Sequence, residues 1–393
     1  MTWRFLQRPG ERLSAKPPAP ATRRSEQPKA RNVPAVTNPA ERLAATTLAL
    51  VDIPSVSREE EAAAAYVAAE MPGSIALAFR DATSLAYATP RVDGRPLVVL
   101  AGHLDTVPPQ ENIPGRLDDG AVWGLGACDM KGGLAVMLEV ARWLDEASPS
   151  LAADVGFVFF PREELSASES AVPGVFAGWP ALSDAGLVVV LEPTDNTLQP
   201  GCLGHVAADV VYSGASAHAA RPWLGRNAVN VAVEGLRPVL EFAPREVTIS
   251  GLAFVEVASV TGIEGGIAEN VIPDSVRCTL DFRFAPGRTA DDAERELRSL
   301  VGRDARFDRL EVSPSAPVAL DAPLVQRLRR AGDLPVEPKQ AWTPVAEFAA
   351  HGLDAVNLGP GAPRYAHRPD EQVSVDSLVR TFETLRRFLA GTV

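Results

Sequence analysis

Seven histidine and carboxylate side chains of this sequence could together bind divalent metal ions. Each follows or closes an apolar run with the character of a β-strand: His103, Asp105, Asp129, Glu163, Glu164, Glu192 and His367. In an open α/β sheet, residues just beyond the carboxyl ends of the strands converge on one crevice, so ligands far apart in sequence can meet. Two histidines with several carboxylates suit borderline divalent metals, zinc above all. The pattern therefore predicts a metal centre at the edge of an α/β sheet.

Taken singly, these residues have simpler explanations. A lone histidine at a strand end is most often a hydrogen-bonded structural residue, and a lone aspartate before a helix, such as Asp129, is most often an N-cap. Paired glutamates such as Glu163 and Glu164 are usually a solvated turn, but here they end an apolar run and should face the crevice. Asp105 strengthens the case for His103, because a metal-bound imidazole usually donates its other N–H to a carboxylate.

Seven segments in order resemble the dinuclear zinc aminoacylase and carboxypeptidase family of metallopeptidases. They are His103-Leu-Asp105-Thr-Val-Pro, Asp129-Met-Lys-Gly-Gly, Glu163-Glu164, Glu192-Pro-Thr, Ser216-Ala-His218-Ala-Ala-Arg-Pro, Asn270-Val-Ile-Pro and His367-Arg-Pro-Asp-Glu. The resemblance covers roughly residues 40 to 393. The chain departs from the family at Leu125, where many members carry Arg, and at His205, where a Gly-Arg or Gly-Thr pair is commoner.

The resemblance implies how the metal centre is built. Asp129 would bridge two divalent ions, zinc or cobalt, and its peptide bond to Met130 would be cis. His103 and Glu192 would complete the ligands of one ion, while Glu164 and His367 would complete those of the other.

The same resemblance assigns the remaining functional residues. Glu163 would be the general base and Asp105 would orient His103, whereas His218 would stabilise the oxyanion in the active site of a partner subunit. Asn270 and Arg283 would hold a substrate carboxylate, and Thr343 and Gly361 are further candidates for substrate contacts. His205 and His351 are interpreted as structural.

The implied reaction is removal of succinate from N-succinyl-LL-2,6-diaminopimelate, a small N-acyl amino acid, in the synthesis of diaminopimelate and lysine. N-acetylornithine or another N-acyl amino acid or peptide is an alternative substrate. A different class is a catalytically silent binding protein on this scaffold. The intact set of five ligands plus Glu163 argues against that last reading.

The elements that must position these residues predict an α/β protein of two domains, as expected for a chain of 393 residues. Apolar runs at 155–160 and 187–191 are typical of central parallel strands. A helix is predicted from Lys131 to Glu146, and Gly132 and Gly133 in its first turn allow it to approach the sheet closely. Further strands are predicted at 75–79, 84–89, 97–102 and 354–358. Ser57-Arg-Glu-Glu-Glu resembles a capping-box start of a helix.

Beyond Gly201 the order of elements becomes β-α-β-β-α-β, with strands at 252–261 and 271–284, which predicts a ferredoxin-like insertion. Residues 39–203 and 315–393 would form a zinc-peptidase-like catalytic domain. Residues 204–314 would form an α+β lid that also joins two chains in a homodimer.

Composition narrows the partners and the compartment. The net charge of −12 disfavours nucleic acid or an acidic membrane surface as partner, and no apolar run approaches the roughly 20 residues of a membrane helix. Cys128, Cys202 and Cys278 are too few for a disulfide framework, so a reducing cytoplasm is expected. Residues 1–38 are rich in Pro, Arg and Ala and are predicted to be a disordered extension or the product of a start codon set too early.

Overall fold

The computed structural model describes residues 38–392. The predicted disordered extension, residues 1–38, lies outside this part of the chain except for Asn38. That residue caps the first helix, because its side chain accepts a hydrogen bond from the backbone N–H of Ala40 at 3.0 Å.

Nine α-helices occur between residues 38 and 392, and most bury one apolar face. They are α1 (Pro39–Val51), α2 (Glu61–Glu70), α3 (Gly132–Ala147), α4 (Val172–Gly178), α5 (Ala228–Leu240), α6 (Ala290–Leu300), α7 (Pro323–Gly332), α8 (Val345–Ala350) and α9 (Val375–Ala390). Within this range, every helix is too short or too polar to cross a lipid bilayer.

The strands of the same range fall into three sheets. They are β1 (Ala76–Arg80), β2 (Leu85–Ala88), β3 (Leu97–His103), β4 (Arg116–Asp118), β5 (Ala121–Trp123), β6 (Asp154–Phe160), β7 (Ala185–Val190), β8 (Gln199–Pro200), β9 (Gly204–Ser213), β10 (Arg245–Ile249), β11 (Leu252–Gly265), β12 (Ser275–Phe284), β13 (Ala305–Ser313), β14 (Ala355–Asn357) and β15 (Gln372–Ser374).

The largest sheet has seven strands in the order β1-β2-β6-β3-β7-β14-β8. Its centre, β6, β3, β7 and β14, is parallel. Alternate residues of β3 enter different apolar cores, Val98 and Leu100 on one face and Val99 and Ala101 on the other. Residues of β6 and β7 alternate between the same two cores, so the central parallel strands predicted at 155–160 and 187–191, buried on both faces, are confirmed.

The five-stranded sheet has the order β10-β11-β12-β9-β13 and carries α5 and α6. Without β10, the chain order from β9 to β13 is the predicted β-α-β-β-α-β. The extra strand β10 forms a hairpin with the first part of β11. The strand predicted at 271–284 begins only at Ser275, after Pro273, which has no N–H to donate to a strand ladder.

A three-stranded sheet, β15-β5-β4, escaped the sequence analysis because each of its strands has only three residues. The capping-box prediction at Ser57 was wrong. Helix α2 begins at Glu61, and the hydroxyl of Ser57 donates instead to the Asp105 carboxylate at 2.8 Å.

The predicted close approach of α3 to the central sheet is confirmed at Gly133. A Cβ atom there would lie 2.5 Å from the carbonyl oxygen of Leu191, the residue before Glu192. A side chain at this position would force the helix away from the end of β7. The glycine thus keeps the segment before α3, which carries Asp129, close to Glu192.

Candidate active site

The predicted metal ligands lie at the carboxyl ends of the parallel strands. His103 is the last residue of β3, and Glu164 and Glu192 closely follow the ends of β6 and β7. Asp129 lies in the turn Ala127–Lys131 that leads into α3, where its own backbone is not helical, and its peptide bond to Met130 is cis, as predicted. The parallel sheet thus delivers side chains from separate parts of the chain to one crevice.

Asp129 lies between two groups of ligands, with one carboxylate oxygen towards each. Its Oδ1 is 3.1 Å from His103 Nε2, which lies 3.8 Å from Glu192 Oε1. Its Oδ2 is 3.4 Å from His367 Nε2, which lies 3.0 Å from Glu164 Oε1. Each trio brings donor atoms within 4.8 Å of one another. A carboxylate that presents its two oxygens to two such trios has the arrangement of a bridging ligand.

Asp105 holds the ends of two strands together. Its carboxylate accepts the backbone N–H groups of Glu163 at 3.0 Å and Glu164 at 3.1 Å. The nearest acceptor of His103 Nδ1 is the backbone carbonyl of Asp105 at 3.0 Å, and the carboxylate lies at 3.4 Å. The structure therefore gives Asp105 two contacts with the site, one to the imidazole and one to the paired glutamates.

The surroundings of Glu163 strongly shift the pKa of its carboxyl group. Burial raises the pKa of its carboxyl well above the ordinary value, and the negative charge of Glu192 adds to the shift. Burial likewise raises the pKa of Glu164. The pKa of His367 is raised to about 11 by its contacts with Asp129 and then Glu164. Burial is thus the main cause for the two glutamates, whereas the contacts of His367 with carboxylates raise its pKa against the effect of burial.

Glu192 is buried, and its Oε1 has no hydrogen-bond partner among the described residues. Burial raises its pKa to about 7, the charge of Asp129 acts in the same direction, and the cation of Lys339 opposes them. Lys339 is itself buried, and its ammonium donates to the carbonyl of Pro193 at 3.3 Å. Sequence analysis missed Lys339, because a lone lysine after a proline carries no recognisable pattern.

Glu371 fixes the loop that carries Asp129. Its buried carboxylate accepts three backbone N–H groups, from Gly126, Cys128 and Asp129, each at 3.0 Å. Burial raises its pKa to about 7. Glu371 closes the quoted His367-Arg-Pro-Asp-Glu segment, so the sequence contained a signal, but its contact with residues more than 240 positions away could not be read from spacing.

The donor set fits divalent metal ions. The carboxylates of Asp129, Glu163, Glu164 and Glu192 converge with two histidines, and Glu192 has a buried oxygen without a hydrogen-bond partner in the described part of the chain. Clustered carboxylates in a buried crevice repel one another unless cations neutralise them. Nitrogen and oxygen donors in this mixture suit zinc and similar ions.

His218 and Asn270 lie beside each other but outside this cluster. His218 is bridged to Val271, and the backbone N–H of Ala219 donates to the carbonyl of Asn270 at 2.8 Å. Both residues are exposed, on the segments that flank α5 and β12. Nothing in the single chain brings His218 into the described ligand groups.

The other predicted substrate residues are dispersed. Arg283 lies on β12, where its guanidinium contacts Asp281. Thr343 is buried, and its hydroxyl has no partner within residues 38–392. Gly361 lies against Cys128, where a Cβ atom would be 2.8 Å from the Cys128 sulfur. Gly361 has a φ of 82°, which favours glycine, so its packing alone accounts for its identity.

An α/β sheet with this cluster of ligands at its strand ends is the architecture expected of a metal-dependent hydrolase with a zinc-peptidase-like catalytic domain. The chain belongs to the peptidase family M20/M25/M40, whose model matches residues 99–391. It is 33% identical over 356 residues to the succinyl-diaminopimelate desuccinylase of Corynebacterium glutamicum, a match that covers 88% of this chain and 95% of that protein.

Two solved structures show the same fold. The aminopeptidase PepT of Bacillus cereus matches with a TM-score of 0.73 and 21% identity, over 89% of this chain and 98% of that one. The YXEP protein of Bacillus subtilis, described as a dinuclear metal-binding peptidase, matches with a TM-score of 0.64 and 17% identity, over 90% and 98% of the two chains. At these identities the likeness supports the fold rather than a shared substrate.

Proposed function

We propose that this protein is a two-metal amidohydrolase that removes succinate from N-succinyl-LL-2,6-diaminopimelate. The observation that carries the proposal is Asp129, whose two oxygens face separate groups of ligands. The similarity to the Corynebacterium glutamicum desuccinylase supports the substrate. The three cysteines are too few and too widely spaced for a disulfide framework, which favours a cytoplasmic enzyme.

Zinc is the proposed metal at both positions, with cobalt as the alternative. His103, Asp129 and Glu192 would hold one ion, and Asp129, Glu164 and His367 the other. Two such ions would polarise the acyl carbonyl and lower the pKa of a water molecule towards neutrality.

Glu163 moves the proton in this mechanism. An amide nitrogen is a poor leaving group as an anion, so it must be protonated as the bond breaks. Glu163 takes a proton from the attacking water and delivers it to that nitrogen, and its raised pKa suits both transfers. Asp105 keeps Glu163 in place through the hydrogen bond to its backbone N–H.

The most direct test of the substrate is a panel assay with purified, zinc-loaded enzyme. N-succinyl-LL-2,6-diaminopimelate should give a higher kcat/KM than N-acetylornithine and simple N-acyl amino acids. A hydrogen-bonded contact to a charged substrate group is worth about 1.5–3 kcal/mol, so a preference of at least about 10-fold is expected. Faster hydrolysis of acetylornithine would replace the proposed substrate but leave the amidohydrolase mechanism intact.

We further propose that residues 204–314 act as a lid and join two chains in a homodimer. Strand β10 pairs only with the first part of β11, from Leu252 to Glu256. Among the described residues, the rest of β11, residues 257–265, therefore pairs on one side only, with β12. Helix α5 packs beside β11. It exposes Val229, Val233 and Leu240 on one face. A free strand edge beside an apolar helix face suits a second copy of the same sheet.

Subunit mixing tests whether His218 acts on the partner's substrate. Chains with His218→Ala and chains with Glu163→Ala should each be nearly inactive, because an oxyanion donor contributes about 10²–10³-fold and a general base about 10²–10⁴-fold. Mixed and re-associated, they should recover activity. Random pairing makes half the dimers mixed, and one site in each mixed dimer has both residues, so about a quarter of wild-type activity is expected under a shared-site model.

The control is a mixture of Glu163→Ala with Glu163→Gln chains, which should stay inactive. Heterodimer formation is verified with two affinity tags. Verified heterodimers without recovered activity would contradict the shared site and leave His218 acting within its own chain.

A further inference from the structure

Lys339 is a buried lysine that has no carboxylate in ion-pair contact among the described residues. It is 7% exposed, and its ammonium donates to the carbonyl of Pro193 at 3.3 Å. An ammonium has three N–H donors, so one hydrogen bond leaves two of them without a protein acceptor in this part of the chain. Lysine is almost never fully buried unless it is paired. The burial of this charge therefore points to a function.

Lys339 lies close to the segments that carry two of the metal ligands. Pro193, which accepts its hydrogen bond, follows Glu192 in the chain. Burial raises the pKa of the Glu192 carboxyl and that of the Cys128 thiol, and the cation of Lys339 opposes both shifts. Cys128 immediately precedes Asp129. The ammonium is therefore near enough to both segments for its charge to act on them.

The segment that carries Lys339 is fixed on both sides. Before it, Val336 forms a parallel β-bridge with Leu198. After it, the side-chain amide of Gln340 accepts the backbone N–H of Val255 at 3.0 Å and donates to the carbonyl of the same residue at 2.6 Å. Because the chain is anchored before and after Lys339, its side chain stays in the interior instead of turning towards solvent.

A fixed cation has opposite effects on the empty and the occupied metal site. Without metal, the four carboxylates of the crevice repel one another, and a nearby ammonium offsets part of this repulsion. With metal bound, the same ammonium repels an ion that carries two positive charges. A divalent ion has twice the charge of one carboxylate, so at comparable distances this repulsion outweighs the attraction between Lys339 and Glu192. Lys339 therefore favours the empty site over the occupied one.

We propose that Lys339 is a resident counter-charge that weakens zinc binding on the Glu192 side and so keeps that ion exchangeable. This inference rests on the proposed two-metal site. When the ion leaves, the ammonium beside the Glu192 segment takes over part of the charge balance. The ion proposed to bind Glu164 and His367 lies on the other side of the bridging Asp129, so its affinity should change less.

The test measures zinc affinity in the His367→Ala background, where one ion per chain is expected. Competition with a chelator gives Kd, and transfer of zinc to excess chelator gives the rate of release. Lys339→Met removes the charge but keeps a long stem, so it should bind zinc about 10- to 100-fold more tightly and release it correspondingly more slowly. Lys339→Gln is a second neutral variant and should behave in the same way, which keeps the test readable if one of them folds poorly.

Two further variants separate the effect of charge from that of structure. Lys339→Arg keeps the charge and should retain the zinc affinity of the His367→Ala parent. Arg364→Met removes an exposed cation that lies 3.9 Å from Asp195, in the connection after Glu192, and solvent screening should leave zinc affinity unchanged. Unchanged or weaker binding in the neutral variants, or the same change in Lys339→Arg, would overturn the proposal and leave Lys339 with a structural role alone.

Failure of the proposed two-metal site gives a different result. If His367→Ala retains two ions or none, the ligand assignment is wrong. The first zinc ion bound is then compared between Lys339→Met and wild type, and tighter binding in the variant still supports the counter-charge.

Discussion

Glu163→Gln should abolish most of the activity while the metal content of the protein stays unchanged. Glutamine keeps the size of the side chain but cannot accept and return a proton, so kcat should fall about 10²–10⁴-fold with little change in KM. The variant should also be at least as stable as wild type when metal is removed. Burial and neighbouring carboxylates raise the pKa of Glu163, which means that its charge is unfavourable in the metal-free fold.

Measurement of kcat, metal content and Tm on the same preparations separates a catalytic role from a ligand role. Glu169→Gln is the matched control, because Glu169 lies in the same connection and pairs with Arg58 at the surface. It should leave kcat nearly unchanged. If Glu163→Gln instead lost one metal ion, the roles of Glu163 and Glu164 would have to be exchanged.

The predictable part of this site is the part delivered by strand ends. His103 and Glu192 follow apolar runs that can only be buried strands, and the sheet then brings them together without further information. Gly132 and Gly133 predicted a helix packed tightly on that sheet and so placed Asp129 at its start, while the role of bridging ligand came from the family resemblance. Strong local patterns thus determined which residues meet.

The supporting contacts could not be predicted in the same way. Ser57 has the sequence of a helix cap, yet a buried carboxylate at Asp105 is a better partner for its hydroxyl than the start of α2. Glu371 lies on the segment after His367 and binds a loop far away in sequence. Such contacts depend on how loops cross one another, and no periodicity records them. These contacts hold the metal ligands in place, so what the sequence patterns did not predict is how the site is kept rigid.

In the inserted sheet, too, some features could be predicted from local sequence patterns and others could not. Its β-α-β-β-α-β order follows from alternation along the strands, but the extra strand β10 and the pairing of His205 with Arg283 depend on cross-strand register. His205 was interpreted as structural because a single histidine beside a glycine has no distinctive spacing. Only the register placed it opposite Arg283.

Removal of ligands should reduce the metal content in steps. His103 and Glu192 are buried, whereas His367 is half-exposed and contacts only one side of Asp129. His367→Ala should therefore retain one ion per chain, and Asp129→Asn, which weakens both trios, should retain neither firmly. Metal analysis after dialysis against a buffer of fixed free zinc gives the stoichiometry, and both variants should lose nearly all activity.

Thermal stability tests the two proposed metal sites independently of metal analysis. Metal that binds only the folded chain stabilises it by RT ln(1 + [L]/Kd), about 4 kcal/mol at a free concentration 1,000 times Kd. Chelation should therefore lower the Tm of wild type most, that of His367→Ala less and that of Asp129→Asn least. The order follows from Asp129, since one carboxylate shared by two ions links both to the fold. A His367→Ala protein with the metal content and chelator response of wild type would show that His367 is not a ligand of a second ion.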